Sequence, residues 1–214
     1  MTTIVIAGGH GQIALRLAAL LSARGDGVRS LIRNPGHEAG VRATGAEPIL
    51  ADMEALDDLS DLVEGVNAVV FAAGAGPGSG AERKRTVDLG AAVKLLEGAR
   101  RTGVRRYLMI SSMGAGDPAA GSEAMRPYLE AKGQADAALA ASDLDWTIVR
   151  PGALTDEPGT GLIDVAPSLG RRGSITRDDV AAVLVACLDE RRTVRATFEL
   201  LQGETPIAQA LAAL

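Results

Sequence analysis

The sequence predicts an α/β fold, a doubly wound parallel sheet with helices on both faces, and three observations predict it. Short β-branched runs alternate with longer helix-like stretches along the 214 residues, the pattern of repeated βα units. Several of the runs, such as Ala68–Ala73, are apolar throughout, as a strand covered on both faces requires. A glycine-rich turn at Gly8–Ala14 joins the first run directly to the first helix.

Taken in order, the first strand is Thr3–Ala7, followed by a helix near Gln12–Arg24 and a strand at Val28–Arg33. Glu47–Leu50 is the third strand. A helix near Leu56–Val63 follows, and the acidic run Glu54–Asp61 reads as its solvated face. The fourth strand, Ala68–Ala73, opens into the glycine-rich loop Gly74–Gly80. The helix Glu82–Thr102 carries Val87, Ala91, Leu95 and Ala99 at steps of four, one apolar stripe among charges. Gly103 then serves as its C-cap. Strand Arg105–Ser111, helix Glu123–Ala141 and strand Asp145–Arg150 complete the regular alternation. Beyond the long loop Pro151–Gly173, a helix at Arg177–Leu188 and a last strand near Thr197–Leu201 close the chain. Right-handed crossovers leave little topological freedom. No composition break marks a boundary, so residues 1–214 read as one domain, with 151–214 contributing a small substrate-side lobe.

The totals exclude several classes. Apolar residues make up 47% of the chain and charged ones 23%, enough for a substantial core under a solvated surface. Aromatics are only 2%, too few for a platform that stacks single-stranded bases. A net charge of −5 disfavours nucleic acid and anionic membranes as partners. Cys187 lies in the apolar run Val183–Leu188 and reads as a buried thiol. With one cysteine and two histidines in unlike contexts, His10 and His37, no metal site is expected. No signal peptide precedes the first strand, and no apolar run has the length of a membrane helix. The expected setting is therefore cytoplasmic. The expected partner is a small-molecule substrate, and the expected assembly a monomer or weak homo-oligomer.

The strongest local signal is IVIAGGHGQIALRLAALL. Read from Gly9 it is G-x-G-x-x-A, and read from Gly8 it is G-x-x-G-x-x-A. One glycine allows the tight strand-to-helix turn, Gly11 lets a pyrophosphate approach the backbone, and Ala14 lets helix and strand pack closely. The amides of Gln12 and Ile13 open the helix and face an anion. The fold is thus Rossmann-type, and the alternative is a tight βα turn without ligand. The second strand ends in Leu-Ile-Arg-Asn-Pro, with Arg33 where an NAD enzyme carries an acidic residue for the ribose. A guanidinium there can pair with a 2′-phosphate, so NADP(H) is the expected cofactor; an exposed surface arginine is the alternative. Asp52 and Met53 are placed to flank the adenine, and Ala72, Ala73 and Gly74 to permit close approach to the middle of the cofactor.

Ser111 and Ser112 end the fifth strand at the ligand-binding edge, and Tyr128 and Lys132 share a helix face at i, i+4. Carbonyl reduction needs a proton donor opposite an incoming hydride. A phenol, with an ordinary pKa near 10, is a poor acid–base at neutral pH. A neighbouring ammonium favours the phenolate and brings it toward the working range, and Lys132 is also placed to bind the cofactor by a hydrogen bond to the nicotinamide ribose. The serine hydroxyl is suited to hold the substrate oxygen. Arg150-Pro151-Gly152 ends the sixth strand, either as a nicotinamide contact at Pro151 or as a purely structural turn. Trp146 reads as core and His10 as solvent-facing; Arg171-Arg172 reads as an exposed pair rather than a greeting for an anionic substrate.

The stretches IVIAGGHGQIA, LIRNP, AVVFAAG, ARRTGVRRYLMISSMGA, YLEAKGQAD, LDWTIVRPGALTDEP, GSITRDDVAAVLVACLDE and TFELLQG together resemble the atypical short-chain dehydrogenase/reductase superfamily, in its NmrA-like and NAD(P)-binding epimerase-like group. The resemblance spans essentially the whole chain. It implies NADP in the cleft and Ser112, Tyr128 and Lys132 as the catalytic set, in an NADP(H)-dependent oxidoreductase for a small carbonyl, hydroxyl or quinone-like substrate. Asp88 stands where the superfamily's tetrad has asparagine; a carboxylate near Lys132 partly cancels the lysine's effect on Tyr128. Two other activities occur among similar proteins: NADP(H)-sensing regulation without turnover, and epimerase or dehydratase chemistry on a nucleotide sugar. The region after Pro151 is short for a sugar-nucleotide lobe.

Overall fold

The computed structural model describes residues 2–76 and 78–214; Met1 and Pro77, the latter inside the predicted Gly74–Gly80 loop, lie outside them. The chain runs β1 (Thr3–Ala7), α1 (Gln12–Arg24), β2 (Gly27–Ile32), α2 (Glu38–Arg42), β3 (Glu47–Leu50), α3 (Ser60–Val63), β4 (Ala68–Phe71) and α4 (Ala81–Arg83). A π-helical segment, Lys84–Ala91, carries α4 directly into α5 (Ala92–Thr102). There follow β5 (Arg106–Ile110), α6 (Arg126–Ala140), β6 (Asp145–Pro151), β7 (Ala153–Thr155), β8 (Leu162–Ala166), β9 (Ser174–Thr176), α7 (Arg177–Asp189), β10 (Ala196–Gln202), β11 (Thr205–Pro206) and α8 (Ile207–Leu211).

Among the described residues nine strands form one sheet in the order β11-β8-β10-β6-β5-β4-β1-β2-β3. Every pairing from β3 to β10 is parallel, while β8 runs antiparallel to β10 and β11 antiparallel to β8. Burial explains the parallel part. β4 is buried along its whole length, so its alternate side chains feed two separate cores. Ile4, Ile6, Val70 and Leu108 face the layer of α1 and α7, with Leu17, Leu21, Val180 and Leu184 packed on them. Val5, Val69, Phe71, Tyr107 and Met109 face the opposite layer, with Leu95, Leu96 and Leu139 of α5 and α6. Period-two alternation within strands apolar on both sides thus produces the double winding.

The segment after Pro151 is divided. β7 and β9 form a two-stranded parallel ribbon, whereas β8 and β11 extend the main sheet. The sequence marked neither pair, because strands of two to five residues interrupted by Gly and Pro carry little periodic signal. Three predicted elements are corrected. The expected helix Leu56–Val63 is reduced to Ser60–Val63; Asp58 accepts the Ser60 amide and hydroxyl, and so fixes the start two residues after itself. Glu54–Asp61 is therefore not a solvated helix face, and Glu54 in particular is engaged by basic side chains. The expected helix Glu82–Thr102 is present without a break from Ala81 to Thr102, but Lys84–Ala91 is wound as a π-helix, and Gly103 caps it as predicted, in the left-handed region at φ 75°. No helix of the described residues is long and apolar enough to cross a membrane.

Candidate functional site

The turn after β1 is built by contacts that exclude side chains. Gly8 has φ +78°, and a Cβ there would lie 2.6 Å from the Ala73 Cα and 2.8 Å from its nitrogen. A Cβ on Gly9 would lie 2.5 Å from that of Ser30. The Gly9 amide donates to the Leu31 carbonyl at 2.9 Å and the Gly11 amide to that of Gly8 at 2.8 Å. These contacts press the turn onto the ends of β2 and β4. Gly11, extended at ψ 151°, is the N-cap of α1, and no side chain caps the helix. Among the described residues the amides of Gln12, Ile13 and Ala14 meet no protein acceptor. Three converging donors at the positive end of a 13-residue helix form a receptor for an anion. These donors suit a phosphate group.

Arg33, just past β2, is half exposed and donates from Nη1 to Glu54 Oε2 at 2.9 Å. The Asp52 carboxylate accepts the Glu54 amide at 3.0 Å, closing the turn after β3. Met53 is partly buried against the α5 layer. Ala72 is half-buried, Ala73 is buried and Gly74 exposed. The Ala72 amide still donates to Ala7, so the backbone is held one residue past β4. His10 is exposed, as expected of a solvent-facing position, but it stacks on His37 with ring centroids 3.6 Å apart. Burial and the facing His37 imidazole both pull the His10 pKa down. Sequence spacing gave no sign of this pairing.

At the neighbouring strand ends the proposed reaction centre assembles around one buried ion pair. Lys132 is 3% exposed and Asp88 fully buried, with Lys132 Nζ 3.3 Å from Asp88 Oδ1. The ammonium also donates to the carbonyls of Ile110 at 3.1 Å and Ala73 at 3.3 Å. Asp88 Oδ2 accepts the Ala75 amide at 3.1 Å. A Cβ at Gly74 would approach Asp88 Oδ1 to 3.2 Å. Lys132 thus ties the ends of β4 and β5 together, with its charge balanced at the position the sequence had singled out. The half-buried Tyr128 ring has Lys132 Nζ 5.9 Å from its centroid and a second cation, Lys84 Nζ, at 5.4 Å. Lys84 lies on the π segment, and the sequence reading had passed over it. The half-buried Ser112 donates to the Met113 carbonyl at 3.2 Å. Pro151 is buried and accepts the Met113 amide at 3.0 Å.

Ser111 turns away from this cluster. Its hydroxyl donates to Asp136 Oδ2 at 2.8 Å, and Arg150 Nε approaches the same oxygen at 2.9 Å. Burial raises the Asp136 pKa, against the pull of Ser111 and Arg150. Asp136 lies one turn beyond Lys132 on α6, so a carboxylate on a helix face with buried Leu129, Ala135 and Leu139 was the available sequence signal for this network. Trp146 is buried, as expected of core. Arg171 pairs with Asp164.

The sequence profile of the NAD(P)H-binding family matches residues 8–191. The Bacillus subtilis (strain 168) protein named uncharacterized sugar epimerase YhfK is 40% identical over 210 residues, covering 97% of this chain and 98% of its own. Among solved structures, a proposed NAD-dependent epimerase/dehydratase from Bacillus halodurans superposes with a TM-score of 0.95 at 39% identity, covering 100% of both chains. The oxidoreductase ylbE from Lactococcus lactis gives 0.88 at 28% identity, covering 100% of this chain and 96% of that one.

Proposed function

Because the chain belongs to the NAD(P)H-binding family, in the atypical short-chain dehydrogenase/reductase group that its sequence resembles, we propose that it is an NADP(H)-dependent oxidoreductase acting on a small carbonyl, hydroxyl or quinone-like compound. One observation carries the proposal: the uncapped amides of α1 open onto the same sheet edge where Tyr128 stands within 6 Å of two ammonium groups. In this reading Gly8 and Gly11 give the diphosphate access, Gln12 and Ile13 donate to it, and Arg33 pairs with the 2′-phosphate. Asp52 and Met53 border the adenine. Ala72, Ala73, Gly74 and Pro151 line the way to the nicotinamide.

The cofactor, when bound, supplies or accepts a hydride at its nicotinamide ring. The chain's own residues manage the proton and the substrate. Tyr128 Oη donates a proton to the substrate oxygen in reduction and accepts it in oxidation. Lys132 and Lys84 set two ammonium groups against the Tyr128 ring, and Asp88 balances the charge of the first from 3.3 Å. Ser112 Oγ donates a hydrogen bond to the same substrate oxygen once it swings from the Met113 carbonyl. Loss of well-placed acid–base help lowers rates by about 10²–10⁴-fold. The test is NADPH oxidation over a panel of small carbonyls and quinones: Tyr128→Phe is expected to reduce kcat within that range while NADPH binding persists. An unchanged kcat in that variant removes Tyr128 from the chemistry.

A second reading, an NADP(H)-responsive binding protein without turnover, is favoured by one feature. The Lys132 ammonium is spent on Asp88 and two carbonyls, as a structural lysine's would be. Tight NADPH binding with no turnover across the panel selects this reading.

A further inference from the structure

Glu54 is held by more partners than a rim carboxylate needs. Its Oε2 lies 2.9 Å from Arg33 Nη1 and 3.3 Å from Arg83 Nη2, its Oε1 accepts the Thr86 hydroxyl at 2.7 Å, and its carbonyl accepts Lys94 Nζ at 3.1 Å. Arg33 comes from the end of β2, but Arg83 comes from α4, on the far side of the cleft in sequence. The two guanidiniums therefore meet on one oxygen. Beside them lies a cavity of about 370 Å³ lined by Glu54, Gly80, Glu82, Arg83 and Thr86. Both arginines are roughly half exposed, so an anion can reach them from solvent.

A phosphate presents several charged oxygens and binds guanidinium forks better than one shared carboxylate oxygen does. An anion that takes the place of Glu54 Oε2 inherits the donors that now meet there, one from Arg33 and one from Arg83. Glu54 and the phosphate repel each other and compete for the same donors, so one must yield. We propose that Arg83 is a second residue selecting the 2′-phosphate, and that Glu54 holds both guanidiniums in place until the phosphate replaces it. The proposal rests on the reading of the cleft as an NADP(H) site. Arg33 was the selecting residue legible in sequence; Arg83 becomes one only because the chain after β4 folds back over the turn after β3.

Equilibrium titration of the wild type, Arg83→Ala and Glu54→Gln with NADPH and with NADH tests this, with thermal melts confirming that each variant is folded. Arg83→Ala is expected to bind NADPH about tenfold more weakly and NADH as the wild type does. Glu54→Gln, lacking the competing charge, is expected to bind NADPH more tightly and NADH equally. If Arg83→Ala weakens both nucleotides alike, or neither, Arg83 is not selective. If Glu54→Gln weakens NADPH, the exchange is wrong. A wild type that prefers NADPH alongside an Arg83→Ala variant with the same preference overturns this inference alone; a wild type that holds the two nucleotides alike, or neither, removes the NADP(H) reading and this inference together.

Discussion

Lys132 and Asp88 illustrate how a buried charge is tolerated. Each is nearly or fully enclosed; two carbonyls accept from the ammonium and one amide donates to Asp88 Oδ2, while Asp88 Oδ1 has only the Lys132 charge beside it. Removing one partner strands the other without water, which costs about 3–5 kcal/mol. Lys132→Met is therefore expected to lose stability in that range by chemical denaturation, and Lys132→Met with Asp88→Leu to regain a large part of it. Cys187 makes the opposite case of a group kept neutral. Burial pushes its thiol from the ordinary 9.0 up to about 12. The folded chain holds that proton more tightly than the unfolded one, so the thiol's contribution to stability is complete below 9.0 and disappears as pH rises through about 12. Alkylation at mildly alkaline pH should label Cys187 only after denaturant is added; prompt labelling of the native protein would contradict the enclosed position. The thiol's burial was legible from its apolar run, and Asp88's proximity to Lys132 from the family resemblance. Glu54 was not legible, because its partners Arg33 and Arg83 lie 21 and 29 residues away and no periodicity links them.

At the scale of elements, the glycine turn and the α7 cap invite distinct tests. At Gly9 the nearest obstacle is the Ser30 side chain, while at Gly8 it is Ala73 backbone. Gly9→Ala should cost about 1–3 kcal/mol by overpacking and be partly rescued by Ser30→Gly. Gly8→Ala should cost at least as much, since φ +78° adds strain, and Ala73→Gly should not rescue it. Equal rescue at both positions would show that the turn relaxes rather than packs. Thr176 caps α7, its hydroxyl accepting the Asp179 amide at 3.0 Å and donating to that residue's carboxylate at 2.9 Å. Thr176→Ala is expected to lower stability by about 1 kcal/mol in denaturant titration. α1 and β1 match their predicted bounds because glycine, apolar run and amphipathic helix follow without interruption. β8 and β11 escaped because their pairing is set by distant partners, and α2 because five residues barely exceed one turn.

Across the whole molecule, the proposed ligand site gathers the carboxyl ends of β1, β2, β4, β5 and β6, where parallel sheets place their clefts. Binding there should register unevenly. With saturating NADPH, amide hydrogen exchange is expected to slow over residues 8–15, 33–34, 52–54 and 72–76, while β8, β11 and α8 at the far edge stay unchanged. Uniform slowing would indicate global stabilisation without a local footprint. The layered architecture was legible because strands such as β4 are apolar on both faces. The extra antiparallel edge was not, since nothing local distinguishes a strand that joins a sheet from one that forms a ribbon such as β7–β9.

The π-helical stretch from Lys84 to Ala91 has a consequence for how this chain tolerates changes of length. A wider coil of that kind accommodates a surplus residue inside a helix without disturbing what comes before or after it. Each residue of an ordinary α-helix turns the following side chains by about 100°. Shortening the stretch by one would therefore force a choice: either Asp88 swings off the lysine it neutralises, or Leu95 and Ala99 rotate out of the interior. The irregular coil lets one continuous helix serve the cleft at its front and the core at its back.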